Sequence, residues 1–183
     1  GTSQGITNDR TDHIAIGHNS GQNVIGNRNI ALGVGAGSNL SADGNGSSDH
    51  NIAIGVNAGS NLSGDDNIAI GRDANKNITA VVVESVAIGS RVDATTGSTV
   101  LGNEAKAYGG DFATVLGYKA KVTGDSGTAL GRDSEASANN IALGASSVAN
   151  GTSTAAAYLT AETKMGGYNI VSVGQAGQER RIT

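Results

Sequence analysis

Along this chain a five-residue unit recurs: polar, bulky apolar, small, bulky apolar, glycine. It reads His13-Ile14-Ala15-Ile16-Gly17, Asn29-Ile30-Ala31-Leu32-Gly33, Asn51-Ile52-Ala53-Ile54-Gly55, Asn67-Ile68-Ala69-Ile70-Gly71 and Ser85-Val86-Ala87-Ile88-Gly89. Variants follow at Ser98-Thr99-Val100-Leu101-Gly102, Ala113-Thr114-Val115-Leu116-Gly117 and Gly127-Thr128-Ala129-Leu130-Gly131, and the ninth copy is Asn140-Ile141-Ala142-Leu143-Gly144. The closing glycine is present in all nine, at spacings of 16, 22, 16, 18, 13, 15, 14 and 13 residues. Three residues after each glycine stands a small residue: Ser20, Ala36, Ala58, Ala74, Val92, Ala105, Ala120, Ser134 or Ser147. In the last five copies another follows two further on, at Ala94, Ala107, Val122, Ala136 and Ala149. Alternation with period two is a strand signal. The repeat therefore predicts two short strands joined by two tight turns. The fixed glycine predicts a turn position that excludes a Cβ, with φ above zero.

Units this short bury nothing alone and must stack. Stacked strands repeat every ~4.8 Å, so nine coils make a rod on the order of 40 Å long. Each interior strand pairs above and below, which agrees with the absence of proline. Neighbouring side chains on a strand point to opposite faces. One face of each first strand thus carries the bulky pair and the other mostly alanine. Two alanine-lined strands facing each other give a narrow interior, and the bulky pair then points outward. Those positions are Ile14, Ile16, Ile30, Leu32, Ile52, Ile54, Ile68, Ile70, Val86, Ile88, Leu101, Leu116, Leu130, Ile141 and Leu143, with Thr99, Thr114 and Thr128 completing the set. So long an apolar stripe exceeds what a monomer tolerates in water. Burying each such side chain contributes roughly 1.5–3 kcal/mol. The stripe is therefore expected to be an oligomer interface, closed around an axis in a cyclic assembly. The opposite assignment, with isoleucine inside a wider roll and alanine outside, stays open from the pattern alone. Val100 and Val115, at the small position, are a mild departure from the alanine-inside reading.

Composition sharpens this picture. Glycine, alanine and asparagine together supply 73 of 183 residues, while Leu, Ile, Val and Phe supply 37. So few large side chains sit at the threshold of disorder, which leaves a thin fold once the repeats exclude a disordered chain. Cysteine is absent, so no disulfide, thiolate metal site or cysteine nucleophile exists. The net charge of −4 and scattered Lys and Arg point away from nucleic acid. No run of 18 apolar residues forms a membrane span. The start Gly1-Thr2-Ser3-Gln4 does not read as a signal peptide, and the chain reads as a piece of a longer protein.

The unit Asn-Ile-Ala-Ile-Gly-x-x-Ala-x-Ala resembles the head repeat of YadA-like trimeric autotransporter adhesins of Gram-negative bacteria, over roughly residues 13–151. The stretch from Ile170 to Thr183, Ile-Val-Ser-Val-Gly-Gln-Ala-Gly-Gln-Glu-Arg-Arg-Ile-Thr, looks like the neck that joins such heads to a stalk. The resemblance implies an all-β, left-handed parallel β-roll (a solenoid of about nine coils), trimeric, followed by a neck leading to a coiled-coil stalk. It divides the chain into head repeats over 1–151, with insertions in the N-terminal half, and a head–neck connector with truncated neck over 152–183. It implies a homotrimer at the bacterial surface that attaches to host extracellular-matrix or cell-surface proteins. It also implies an outer-membrane anchor barrel in a C-terminal part beyond Thr183. The wider early spacings place extra residues in Val34–His50, Arg72–Glu84 and Gln22–Arg28, and stretches such as Ser41–Asp49 have loop composition and are expected to project from the rod near its N-terminal end. The apolar run Ala80–Glu84 is a candidate extra strand.

Several residues carry candidate chemistry. His13, His18 and His50 follow no ligand spacing and read as exposed repeat positions. Asp43, Asp49, Asp65 and Asp66 match no calcium-loop pattern and read as solvated loop acids. Gly33-Val34-Gly35-Ala36-Gly37 resembles a phosphate loop but has Ser38 at the position of the last glycine. No cofactor, metal or catalytic residue is expected. Asn29, Asn51, Asn67 and Asn140 share one phase before the strand and predict a stacked hydrogen-bonded ladder. Glu179, Arg180 and Arg181 are expected either to pair between chains in the neck or to stay exposed. The alternative function is a left-handed β-helix acyltransferase-like enzyme, but its hexad repeat does not fit these spacings.

Overall fold

The structure is a computed structural model that describes residues 13–40, 48–76, 78, 80–151, 170–175, 177, 178 and 180. Among these, the strands in chain order are β1 (Ile14–Ile16), β2 (Ile30–Leu32), β3 (Ile52–Ile54), β4 (Ile68–Ile70), β5 (Val86–Ile88), β6 (Thr99–Leu101) and β7 (Lys106–Ala107). They continue with β8 (Thr114–Leu116), β9 (Lys121–Val122), β10 (Thr128–Leu130), β11 (Glu135–Ala136), β12 (Ile141–Leu143), β13 (Val148–Ala149) and β14 (Val171–Ser172). A 10-stranded sheet runs β1-β2-β3-β4-β5-β6-β8-β10-β12-β14, and a 4-stranded sheet holds β7, β9, β11 and β13. The strand pairs are parallel, so the chain winds as a solenoid of about eight turns, without a helix among the described residues.

Register makes like stack on like. Ala31, Ala53, Ala69, Ala87, Val100, Val115, Ala129 and Ala142 form one inward column. All are at most 3% exposed. Opposite them Ala107, Val122, Ala136 and Ala149 close the interior. The alanine-inside assignment therefore holds, and Val100 and Val115 lie within that interior without reversing it.

The repeating second strand belongs to the later coils. It begins with a bridge from Asp93 to Lys106 and continues through β13. The earlier coils use the described part of their extra residues to build a further wall of the coil. Val24, Leu40, Leu62 and Val82 form a third buried column, with Ile78 packed against it. Its backbone is in register: the Asn39 amide donates to the Gln22 carbonyl at 2.7 Å, Asn61 to Ser38 at 2.9 Å, and Val82 to Ser63 at 2.9 Å. Among the described residues these insertions widen the coil instead of leaving it. Residues 41–47 lie outside the described set. The run Ala80–Glu84 gives a single bridge, Ser63 to Val81, in place of a strand.

The asparagine ladder runs through this wall. The Oδ1 of Asn29 accepts the Asn51 amide at 2.8 Å, and that of Asn51 accepts the Asn67 amide at 3.0 Å. The Oδ1 of Asn67 accepts the Ser85 amide at 3.1 Å, and that of Asn140 accepts the Ile170 amide at 2.8 Å. In the early coils each Nδ2 donates sideways to the inserted segment, at the carbonyls of Ser48, Gly64 and Val82. One buried amide side chain thus ties consecutive coils together and holds the third column. Replacing Asn67 with alanine leaves the Ser85 amide and the Val82 carbonyl short of a partner. Each such buried group costs ≈ 1–3 kcal/mol, so a loss of about 2–6 kcal/mol is expected in urea unfolding. Asn103→Ala, at an exposed position, is expected to change little.

Candidate functional site

The outward face of the ten-stranded sheet carries the bulky pair. At the N-terminal end Ile14 is 50% and Ile16 65% exposed, and towards the other end Leu116 is 52% and Leu143 46% exposed. Between them Ile30, Leu32, Ile52, Ile54, Ile68, Ile70, Val86, Ile88, Leu101 and Leu130 are half-buried, and Ile141 is exposed. Ile30, Ile52, Ile68 and Val86 stack in register, as do Leu32, Ile54, Ile70, Ile88 and Leu101. Val34 and Val56, just past the turn glycine, are also exposed. The largest side chains of the first strands thus meet solvent while alanine fills the interior. The structure brings all fifteen of these residues onto one face.

The turn after each glycine sets a second line of side chains. Two residues past the glycine the backbone is left-handed, at Asp73, Arg91, Glu104, Lys119 and Asp133 (φ 54 to 59). Their signs alternate up the rod. Arg91 pairs with Glu104, and Lys119 reaches Glu104 at 3.7 Å. Asp73 accepts from Asn57 Nδ2 at 3.1 Å and from Lys76 Nζ at 3.1 Å. The Asn57 hydrogen bond, followed by that of Lys76, holds the Asp73 carboxyl below its ordinary value. The Arg91 hydrogen bond does the same for Glu104. Exposed pairs of this kind contribute little each, but they set the charge pattern of the flank. Sequence reasoning missed this column, although its constant position two past each glycine was available to find it.

A third group lies on the second-strand flank. Lys106 pairs with Asp93, and Lys121 with Glu135 at 3.1 Å. Burial pulls the Lys106 pKa down, but the hydrogen bond and charge of Asp93 outweigh it and leave the net shift upward. Lys119 is also raised, first through its hydrogen bond to Tyr118. Both ammonium groups lie over tyrosine rings, Lys106 at 5.7 Å from Tyr108 and Lys119 at 5.2 Å from Tyr118.

Of the remaining sequence candidates, His13, His50, Asp49, Asp65, Asp66 and Arg180 have structural partners. His13 is half-buried rather than exposed, because its Nδ1 takes the first place in the asparagine ladder and accepts the Asn29 amide at 3.3 Å. His50 lies 3.0 Å from an Arg28 nitrogen and 3.6 Å from Asp66. His18 is exposed. Asp49 and Asp65 act as turn caps, accepting the backbone amides of Asn27 and Asp49 at 2.6 and 2.7 Å. Asp43 falls outside the described residues, as do Glu179 and Arg181. Arg180 folds back on its own chain: it donates to Ser147 Oγ at 3.0 Å and to the carbonyls of Val173 and Ala145 at 3.3 and 2.5 Å. With β14 paired to β12, it covers the final coil.

Comparison with protein families agrees with this geometry over the later coils. The family model described as YadA head domain repeat (2 copies) matches residues 96–120, 109–134 and 123–140. Comparison with curated proteins gives no match.

Proposed function

We propose that this chain, which carries a YadA-like head, is the adhesive tip of a surface protein in which three copies close around one axis through the apolar stripe. The observation that carries this reading is the inversion of size between faces. Alanine, which contributes little burial, fills the interior, while fifteen larger side chains stand outside. Closing them against two further copies gives each a partner and each chain a common axis. Val34 and Val56, one residue past the turn glycine, add exposed apolar surface in the early coils. Residues 170–183 begin the neck, and a C-terminal segment supplies the stalk and the outer-membrane anchor. The three chains display three copies of each flank to an extracellular-matrix or cell-surface protein of the host, with binding and no chemistry. The acyltransferase-like alternative gains no support from coil spacings of 13 to 22 residues.

Repeated weak contacts on one assembly give avidity of about 10²–10⁴ over a single site. The 183-residue chain is therefore expected to be retained on at least one immobilised collagen, fibronectin, laminin or cell-surface receptor. A variant made monomeric through the stripe is expected to lose most of that retention. Equal retention of monomer and assembly on every surface would contradict the reading.

A further inference from the structure

The flank away from the apolar stripe holds two like charges side by side. Lys106 and Lys121 are direct partners in the parallel pairing of β7 and β9. Like charges in that relation are unfavourable. Their carboxylates lie on the outer sides: Asp93 in the coil before and Glu135 in the coil after. Each ammonium is thus drawn away from the other. They line a depression of about 450 Å³ together with Arg91, Glu104, Tyr108 and Lys119. Four cations and one carboxylate form its lining, and with Asp93 and Glu135, the partners of the two lysines, the group holds four cations to three carboxylates in a chain whose net charge is −4. Tyr108 and Tyr118 are 45% and 44% exposed, and with Phe112 they place three of the chain's five aromatic residues between positions 108 and 118.

From this arrangement we infer that the depression binds an anionic polysaccharide, with a sulfate or carboxylate seated between Lys106 and Lys121 and a sugar ring against Tyr108. An anion there relieves the repulsion of the two ammonium groups and meets charge-assisted donors. Arg91 and Lys119 stand two coils apart on the neighbouring column, about 9–10 Å at the strand spacing, on either side of Glu104, with which both pair. The lining side chains are charged or tyrosine, and no aliphatic residue is among them to receive an anchoring peptide side chain, which favours a hydrated glycan over an acidic peptide. Ala107 and Val122 turn inward on these strands. Lys106 and Lys121 therefore leave through the wall opposite the stripe and stay accessible when the stripe is covered. The inference rests on the adhesive reading and names one ligand class for it.

The test uses the 183-residue chain on immobilised heparin, with uncharged dextran as the blank. Retention is expected at low salt and is expected to fall as ionic strength rises, because exposed charges are screened within about 10 Å at 0.1 M. Binding is expected to weaken about ten-fold in K106Q/K121Q and several-fold in Tyr108→Ala, and to be unchanged in Lys76→Gln, whose partner is Asp73. An unaltered thermal transition shows that the variants fold. Failure of the chain to bind heparin at low salt, or equal binding by K106Q/K121Q, overturns the site. Release by polyglutamate as readily as by free heparin also overturns it and assigns the depression to acidic peptides. If heparin binding fails while the same preparation is trimeric and still binds a matrix protein, the glycan inference falls and the adhesive reading stands.

Discussion

Gly55→Ala is expected to remove about 4 kcal/mol of stability, enough to melt the coils around it. Two costs combine at this position. Its φ of +129 belongs to a region that L-residues rarely adopt, and strain of that kind costs about 1–3 kcal/mol. A Cβ built there would also stand 2.6 Å from the carbonyl oxygen and 2.7 Å from the carbonyl carbon of Gly71, the equivalent residue one coil on. Backbone cannot rotate aside as a side chain can, so the stacking distance itself must open. Gly109 separates the two costs. Its φ is +68, and a Cβ there meets nothing nearer than the Thr123 carbonyl at 4.0 Å. Gly109→Ala is expected to cost about 1 kcal/mol, from backbone conformation alone. Urea unfolding of the two variants checks this, and equal losses would contradict the stacked-glycine explanation.

The double variant Ile54→Asp with Ile70→Asp is expected to abolish assembly while leaving the coil intact. These side chains are partners in adjacent coils and point out of the roll. Inside a closed assembly each would set a carboxylate beside those of neighbouring chains, without a countercharge. Removing two apolar side chains forfeits roughly 3–6 kcal/mol per chain at 1.5–3 kcal/mol each, before the cost of charge burial. Sedimentation velocity is expected to give three times the 18.0 kDa chain mass for the parent and a single chain mass for the variant. The circular dichroism of strands is expected to persist, because Ala53 and Ala69 still fill the interior. Loss of strand signal together with assembly would show that the stripe supports the chain's own fold.

Much of this architecture is legible in the sequence because its determinants are local. Period two places Ile54 and Ala53 on opposite faces, and the recurring glycine marks where each strand turns. Asn29, Asn51 and Asn67 announce their ladder by standing at one phase. The third column was less legible. Leu40 and Leu62 sit singly among Gly, Ser and Asn, so local composition reads as loop, and only stacking shows that each turns inward above the other. Val82 lies in an apolar run that reads as a strand, yet the coil geometry uses it as one buried contact. His13 reads as a surface histidine in the sequence because its neighbour in the ladder lies 16 residues away. The lysine pair on the flank was hidden for the same reason. Lys106 and Lys121 become neighbours only through a register that unequal coil lengths obscure.

The absence of cysteine lets a single engineered thiol report whether the bulky stripe is covered in the assembled protein. A single cysteine replaces Ile70 on the stripe or, in a second protein, Thr123 on the opposite flank, and its labelling by a maleimide is followed under native conditions. The cysteine at 123 is expected to react at once, and the one at 70 only when denaturant separates the chains. Equally fast reaction at both positions would contradict coverage of the stripe.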